Sequence, residues 1–514
     1  ERKQQDPDMS NEHSMLPPQR VSDDTSPAEP DSGATTADAD SPSDRLNEVS
    51  LLSSPLPPSP YVSPSRLGHT TAEDHRDPER RRALPPEVNG WLKGAYRYVY
   101  TMLVFHIHST IAWTAIGIAI VAALACVINP LMWPCFILFV WRRYRRYREG
   151  MKQSKLFDGG PIKDVDDLKE RLLSHLGPQE EGTFRTRDGL NLRYGIFGNG
   201  DKTILLCNGV NCSYLLWSPA HTALQRIYTS MGGKGEVWTD DFRVVTWDYR
   251  GQFDSDDPCD AVRFSVERLT DDALDLMVHL GIPKFHGMGG WSTGVQIALQ
   301  FAATYPDKVE RLFLVNGNWG HTLTCAFQIS WYLPNPLVPR ILHSLIWVCR
   351  YGICPYPNLY AIFLRIYRVV IHWLRRYLWK PLGVLTGIPT YEWMMLLNAS
   401  DVFGNTASHA NNVGIILQAL DCHSVAALLP EVRTPTVMLT GLLDAMTPPY
   451  QQYEMAGIIP NIHLVPFLLG THHSIEEYPN QIARLMVDFF CRDWDDFKRK
   501  CPGRVRLAPI MIDR

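Results

Sequence analysis

The chain reads as an α/β protein on a mostly parallel sheet flanked by helices, with an inserted helical lid and an N-terminal membrane-anchor segment. Three observations carry that reading. Short apolar runs alternate with helical patterns over residues 182–318 and again over 433–490, which is how strands and covering helices of a parallel sheet are written. Gly290-Trp291-Ser292-Thr293-Gly294 sits where one such strand gives way to a helix. Ahead of both, Met102 to Asn129 is a run of 28 residues without one Asp, Glu, Lys or Arg.

The segments follow in order. Residues 1–88 form a Pro/Ser/acidic arm without apolar period, and such a chain cannot bury enough surface to offset its ordering entropy, so it is expected to be disordered. Residues 1–79 hold 16 Asp/Glu against 6 Lys/Arg, so the overall charge of −4 leaves about +6 on everything after. Ser26, Ser41, Ser54, Ser59 and Ser63 each precede a proline and are candidate sites for proline-directed phosphorylation. The chain begins at Glu1 rather than Met, which leaves an N-terminal targeting segment open.

Residues 89–150 are the anchor with its basic flank. The charge-free run is long enough as a helix to cross a hydrocarbon core of about 30 Å with some tilt. Tyr98, Tyr100 and Trp133 stand where interfacial anchors belong, and Arg142, Arg143, Arg145, Arg146 and Arg148 follow. The Arg cluster places the C-terminal side, and with it the catalytic domain, in the cytosol, with the endoplasmic reticulum as the expected organelle. After Pro130 and Pro134 the apolar run Cys135 to Trp141 is too short to span, so the segment is either one span plus an interfacial turn or a re-entrant loop. His106 and His108 lie two residues apart and face different ways on a helix, so metal or haem ligation is not expected there.

A linker helix is expected over 151–181, then the first part of the core over 182–318. Its strands are Thr203–Cys207, Arg243–Trp247, Phe285–Gly289 and Leu312–Asn316; Val266 to Gly281 is a helix stopped by Gly and Pro. The lid spans 319–432. From Arg311 to Tyr391 it and its approach contain no acidic residue against eight Lys/Arg. Arg365, Arg368, His372, Arg375 and Arg376 fall on an arc of roughly 100° of a straight helix, which suits an interfacial helix on anionic lipid. Residues 433–500 complete the core with strands Thr436–Thr440 and Ile462–Phe467, and 501–514 form a tail. The eleven cysteines, scattered from Cys126 to Cys501 without a C-x-x-C pair, suggest neither a zinc site nor a disulfide framework, and reduced thiols are expected.

A bare G-x-S-x-G is weak, since roughly one chain in six of this length carries it by chance at average composition. Its placement between strand and helix makes it a nucleophile elbow, with Gly290 and Gly294 glycine because the backbone passes too close to neighbours for a side chain. A serine at neutral pH needs a base held by a third group. Asp444 lies in the loop after one buried strand and His472 in the loop after the last, so Ser292, Asp444 and His472 are the candidate triad. His473 competes with His472 for the role of base.

These motifs resemble the α/β-hydrolase superfamily over residues 182–318 and about 415–490. The order Ser, Asp, His matches it, Asp248-Tyr-Arg-Gly-Gln-Phe-Asp-Ser255 is similar to its turn after strand four, and Leu429 to Pro435 to its entry into the acid-bearing strand. The family commonly places Glu five and Pro seven residues beyond the base; from His472 these are Glu477 and Pro479, so His472 is taken as the base. The resemblance implies an oxyanion hole from the backbone N–H groups of Val210 and Thr293. It departs from the family at Cys207-Asn208-Gly209-Val210, where His-Gly is usual. A serine nucleophile excludes the related epoxide-hydrolase and haloalkane branches, which use aspartate there.

The expected activity is that of a membrane-anchored serine esterase or lipase. It would act on lipid esters, such as an acylglycerol, lysophospholipid or sterol ester, at a surface containing anionic lipid. A protein S-acyl thioesterase and a non-catalytic lipid-binding scaffold on the same fold are the alternatives. No metal cluster, dinucleotide fingerprint, P-loop or nucleic-acid module appears, and no cofactor is implied.

Overall fold

The computed structural model describes residues 86–153, 179–212, 241–328, 335–386 and 406–501. The expected arm, most of the linker helix at 151–181, the Ser-Pro pairs and nearly all of the 501–514 tail lie outside these.

Among the described residues eight strands form one sheet: β1 (Glu180–Arg185), β2 (Asn191–Phe197), β3 (Lys202–Cys207), β4 (Phe242–Trp247), β5 (Gly287–Trp291), β6 (Leu312–Val315), β7 (Thr436–Gly441) and β8 (Ile462–Phe467). They run in the order β1-β2-β4-β3-β5-β6-β7-β8. Only the β1–β2 and β2–β4 pairs are antiparallel; every other neighbour is parallel. The inner strands read as unbroken apolar runs because both faces are covered. Leu205, Val245, Met288, Leu314 and Met438 point to one layer, which holds α3 (Val266–His279) and α4 (Thr293–Thr304). Their alternates Ile204, Leu206, Val244, Phe313, Val437 and Leu439 point to the other, under α11 (Pro479–Cys491) and α12 (Trp494–Lys500).

The first helices are α1 (Pro86–Ile128) and α2 (Trp133–Gln153), joined by a short 3-10 turn at Pro130–Met132. α1 is not a free-standing anchor. Met102, Phe105 and Ala112 of α1 are buried in one cluster with Leu442, Tyr450, Tyr453 and Leu468 of the core, so its first half docks on α10 (Pro449–Ile458). The Arg97 guanidinium donates to the carbonyls of Gly457 at 3.0 Å, Ile458 at 2.7 Å and Pro460 at 3.1 Å. It thus occupies the orphan carbonyls at the end of that helix.

The insert contains α5 (Thr322–Cys325), α6 (Leu337–Trp347), α7 (Pro357–Leu374), α8 (Lys380–Thr386) and α9 (Ala407–Cys422). Two departures from expectation appear. α9 sends Ile415, Ile416 and Leu420 into the core, so the last part of the insert is core structure. The basic helix is α-helical only to Leu374 and π-helical over Arg375–Trp379. On the α-helical part Arg365, Arg368 and His372 span an arc of about 60°, and Arg375 and Arg376 no longer extend it as on a straight helix, since a π segment advances by a smaller angle per residue.

The turn after β4 is fixed by a buried cation. Arg250, 1% exposed, donates through Nε to Asp272 Oδ2 at 2.9 Å and through a terminal nitrogen to Asp188 Oδ2 at 3.0 Å and the Arg263 carbonyl at 2.8 Å. Burial pushes the Asp272 carboxyl up to about 6 against the pull of Arg250. Around Asp188 burial is outweighed by hydrogen bonds from Thr186 and Arg250, which hold its carboxyl below the usual range.

Removing one partner of such a pair strands the other, whereas replacing both with apolar residues is far milder. Arg250→Met is expected to destabilise the fold by about 3–5 kcal/mol, and Arg250→Met with Asp272→Leu to regain much of that. Thermal unfolding of the two variants checks both statements.

Candidate active site

The parallel strands end on one edge of the sheet, and the side chains singled out above lie there. At the end of β5 the backbone turns sharply into α4 through Ser292, whose φ is 55° and ψ −115°. This is a strained conformation for a residue with a side chain. The two glycines permit it: a Cβ on Gly290 would lie 2.6 Å from the Gly294 carbonyl oxygen, and one on Gly294 2.1 Å from the Cys207 carbonyl oxygen. The Ser292 N–H donates to the Val315 carbonyl at 3.1 Å, so the strained residue is pinned to β6 while its hydroxyl stands clear.

His472 Nε2 lies 3.0 Å from Ser292 Oγ. Its Nδ1 lies 3.0 Å from Asp444 Oδ2 and 3.1 Å from Oδ1. With an ionised carboxylate against Nδ1, the hydrogen sits on Nδ1, which leaves the Nε2 lone pair directed at the serine. Asp444 is buried and held by its own loop, Oδ1 accepting the N–H groups of Met446 and Thr447, each at 2.9 Å. The Thr447 hydroxyl lies 2.7 Å from both Asp444 Oδ2 and the Asn316 carbonyl and has one proton to give.

The neighbouring His473 faces Trp291, with ring centroids 5.7 Å apart, while His472 reaches the serine. Glu477 shows what a carboxylate at that spacing does: its Oε2 accepts the Thr471 N–H at 2.8 Å and its other oxygen takes the Thr471 hydroxyl. That closes the loop carrying His472.

The loop after β3 brings Val210 beside Thr293, the first residue of α4. In this structure the Val210 N–H, expected as an oxyanion-hole donor, donates to Thr293 Oγ1 at 3.1 Å. An acyl oxygen that enters must displace that contact. The departure at Asn208 has a physical counterpart. Its Nδ2 donates to Thr246 Oγ1 at 3.1 Å, and its carbonyl accepts the Tyr249 hydroxyl at 2.6 Å. Both tie the loop to β4 and its turn. Asn211, at φ 59°, donates its N–H to Gln252 Oε1 at 2.9 Å. His409 of α9 accepts the Phe253 N–H at Nδ1, so its Nε2–H donates to Asn211 Oδ1 at 2.5 Å.

Sequence reasoning missed Asn316, the residue that joins the acid loop and the histidine loop to the sheet. It is fully buried after β6, and its Nδ2, with two protons to give, lies within hydrogen-bond distance of three acceptors, the carbonyls of Thr471 at 2.7 Å and His472 at 3.0 Å and Ser474 Oγ at 2.9 Å. Its Oδ1 accepts the Gly441 N–H at 2.9 Å. The acid loop and the histidine loop are thereby fastened to one side chain. A lone amide closing an apolar strand was the available signal. Gln252 and His409 gave none, because their partners are remote in sequence. Among the described residues no group of His, Cys, Asp and Glu is arranged to hold a metal ion.

Residues 202–335 match a family model described as the alpha/beta hydrolase fold. A protein of Caulobacter vibrioides named as a carbamate hydrolase, RutD, is 29% identical over 161 residues, 31% of this chain and 48% of that protein. The namesake from Caulobacter segnis is 28% identical over 291 residues, 56% of this chain and 91% of its own. Epoxide hydrolase 1 of Caenorhabditis elegans is 32% identical over 121 residues, 21% of this chain and 29% of that protein. The alignment with the first of these relatives thus spans about half of its length. Among solved structures, the enol-lactonase of Burkholderia xenovorans superposes with a TM-score of 0.43 at 22% identity, over 60% of this chain and 100% of its own.

Two outcomes follow from the geometry. His472→Ala is expected to lower turnover by several orders of magnitude and His473→Ala far less, because only the first reaches Ser292; steady-state rates on a p-nitrophenyl ester decide it. Asn316→Ala is expected to lower kcat about a hundredfold with little change in KM, since a shift of about 1 Å in a reacting group costs that much. Equal rates for Asn316→Ala and the parent would show that the loops hold without it.

Proposed function

We propose that this chain, which carries the α/β-hydrolase fold, is a membrane-bound serine hydrolase that cleaves lipid carboxylic esters. The observation that carries the reading is the continuous relay from Asp444 through His472 to Ser292, with Nε2 3.0 Å from the serine oxygen. In this reading Ser292 Oγ attacks the ester carbonyl as His472 Nε2 takes its proton. The developing oxyanion is met by the N–H groups of Val210 and Thr293, the first released from the Thr293 hydroxyl as the oxygen arrives. A donor of this kind contributes about 3 kcal/mol. The imidazolium, stabilised by Asp444, then returns its proton to the departing alkoxide. Water, deprotonated by the same nitrogen, hydrolyses the acyl-serine.

The choice of a lipid ester rests on what surrounds the site. α1, α2, α6 and α7 expose Trp113, Ile118, Trp141, Trp347, Ile366 and Trp373, apolar side chains that a protein in water would cover. Trp141, Trp347, Ile366 and Trp373 have basic and not acidic near neighbours in the chain, as an anionic membrane surface requires. Residues Gly94–Cys126 form a helix long and apolar enough to enter a bilayer.

The parent protein is expected to label with a fluorophosphonate probe and to hydrolyse an emulsified acylglycerol faster than a soluble short-chain ester. Ser292→Ala is expected to lose labelling and both activities while melting at the parent temperature. Undiminished turnover by Ser292→Ala would end the assignment. A faster rate on the soluble ester would end the choice of lipid.

A further inference from the structure

We infer that the anchor is a re-entrant hairpin seated in a single anionic leaflet, with both of its flanks on the side of the catalytic unit; this rests on the membrane-bound reading above. The charge-free run is long enough to span, but the structure has already committed its first part elsewhere. Met102, Phe105 and Ala112 dock on α10, and His108 Nδ1 lies 2.6 Å from the Tyr453 hydroxyl. The catalytic unit covers one face of those turns and so holds them at its own level, while Leu103, Ile107 and Ile111 are exposed on the opposite face. Beyond Ala112 only the sixteen residues Trp113 to Ile128 remain, about 24 Å of helix at 1.5 Å per residue against a core of about 30 Å.

The return arm is shorter still. Leu131 donates its N–H to Asn129 Oδ1 at 3.1 Å, which fixes the turn between α1 and α2. The apolar part of α2, Trp133 to Trp141, is nine residues long and stops at Arg142. Further along α2, Tyr147 is buried, and the helix packs against α8 of the insert. The chain has then come back to the unit it left. A spanning segment ends on the far side; this one ends on the near side.

Side-chain chemistry marks the leaflet. The guanidinium groups of Arg143, Arg145 and Arg148 lie 5.4, 5.2 and 6.0 Å over the rings of Phe139, Trp141 and Tyr144. Such a stack keeps the stem along apolar surface and the charge at headgroup level. On α7 and the π segment after it, Arg365, Arg368 and Arg376 are exposed among Ile362, Ile366 and Trp373. No carboxylate lies between Arg311 and Tyr391 to oppose them. The hairpin and the insert helices thus present one apolar, basic face to anionic headgroups.

The test uses the full chain translated into microsomes, with an epitope tag and an N-glycosylation acceptor at each end. Retention in the pellet after alkaline carbonate extraction is the readout of membrane insertion, and its loss would overturn the membrane-bound reading itself. Given retention, the expected result is that both tags are cut by added protease without detergent and neither acceptor is glycosylated. Both tags shielded and both acceptors glycosylated would support the hairpin in the opposite orientation. One end cut and the other glycosylated would overturn it. For the leaflet, flotation with phosphatidylcholine vesicles with and without phosphatidylserine is expected to favour the anionic vesicles several-fold. Arg365→Glu with Arg368→Glu and Arg376→Glu should erase that preference. Equal recovery of the parent on both vesicles would overturn the anionic assignment.

Discussion

The approach of α4 to β3 at Gly294 and the Cys207 carbonyl is the constraint on which the site depends. No side chain fits there, so the helix starts close to the sheet and the residue before it is forced into a left-handed turn. Because β5 lies at the middle of the sheet between β3 and β6, the turn is surrounded by the ends of other parallel strands. The Val210 loop follows β3, Asn316 ends β6, Asp444 follows β7 and His472 follows β8. The loops are held both from within and by neighbours: Asp444 by Met446 and Thr447, Thr471 by Glu477, Asn208 by β4, and Gly441 and His472 by Asn316. The arrangement of Ser292, His472 and Asp444 is precise because these fastenings converge on it and most are buried.

Much of this was legible in the sequence, and the reasons are local. Strand β8 occupies the very residues expected, Ile462 to Phe467, because a period-free apolar run bounded by Asn461 and Gly470 has few other readings. Ser292, Asp444 and His472 were found from residue type, order and flanking strands, and the structure brings their side chains together. The choice between adjacent histidines came from spacing to Glu477, and that residue binds Thr471, fixing the loop one position before His472.

What escaped the sequence depends on contacts between distant segments. His409 bonds to Asn211, 198 positions away, and Asn316 to Thr471, 155 away; no window along the chain contains both partners. The arc of basic residues was computed on a straight helix, and nothing in Arg375-Arg376-Tyr377-Leu378-Trp379 announces a π segment. Hydropathy found the apolar run but treated it as a separate module. A lipid-facing helix and one docked on protein are both apolar, and only the tertiary structure shows that Met102 and Phe105 face Tyr453 while Ile118 and Val121 face outward.

That docking has a consequence for the protein's life in a cell. Many membrane enzymes are shed by a cut beside the anchor, which frees a catalytic fragment into solution. Here a cut between α2 and β1 would carry away α1, uncover Leu442, Tyr450, Tyr453 and Leu468, and strip Arg97 from the end of α10. Helix α10 begins five residues after Asp444, so the wound would open behind the acid loop. Shedding would yield a fragment that aggregates or is degraded rather than a circulating enzyme. Under the proposed membrane-bound reading, activity would be withdrawn by destruction or by moving membrane, and not by release.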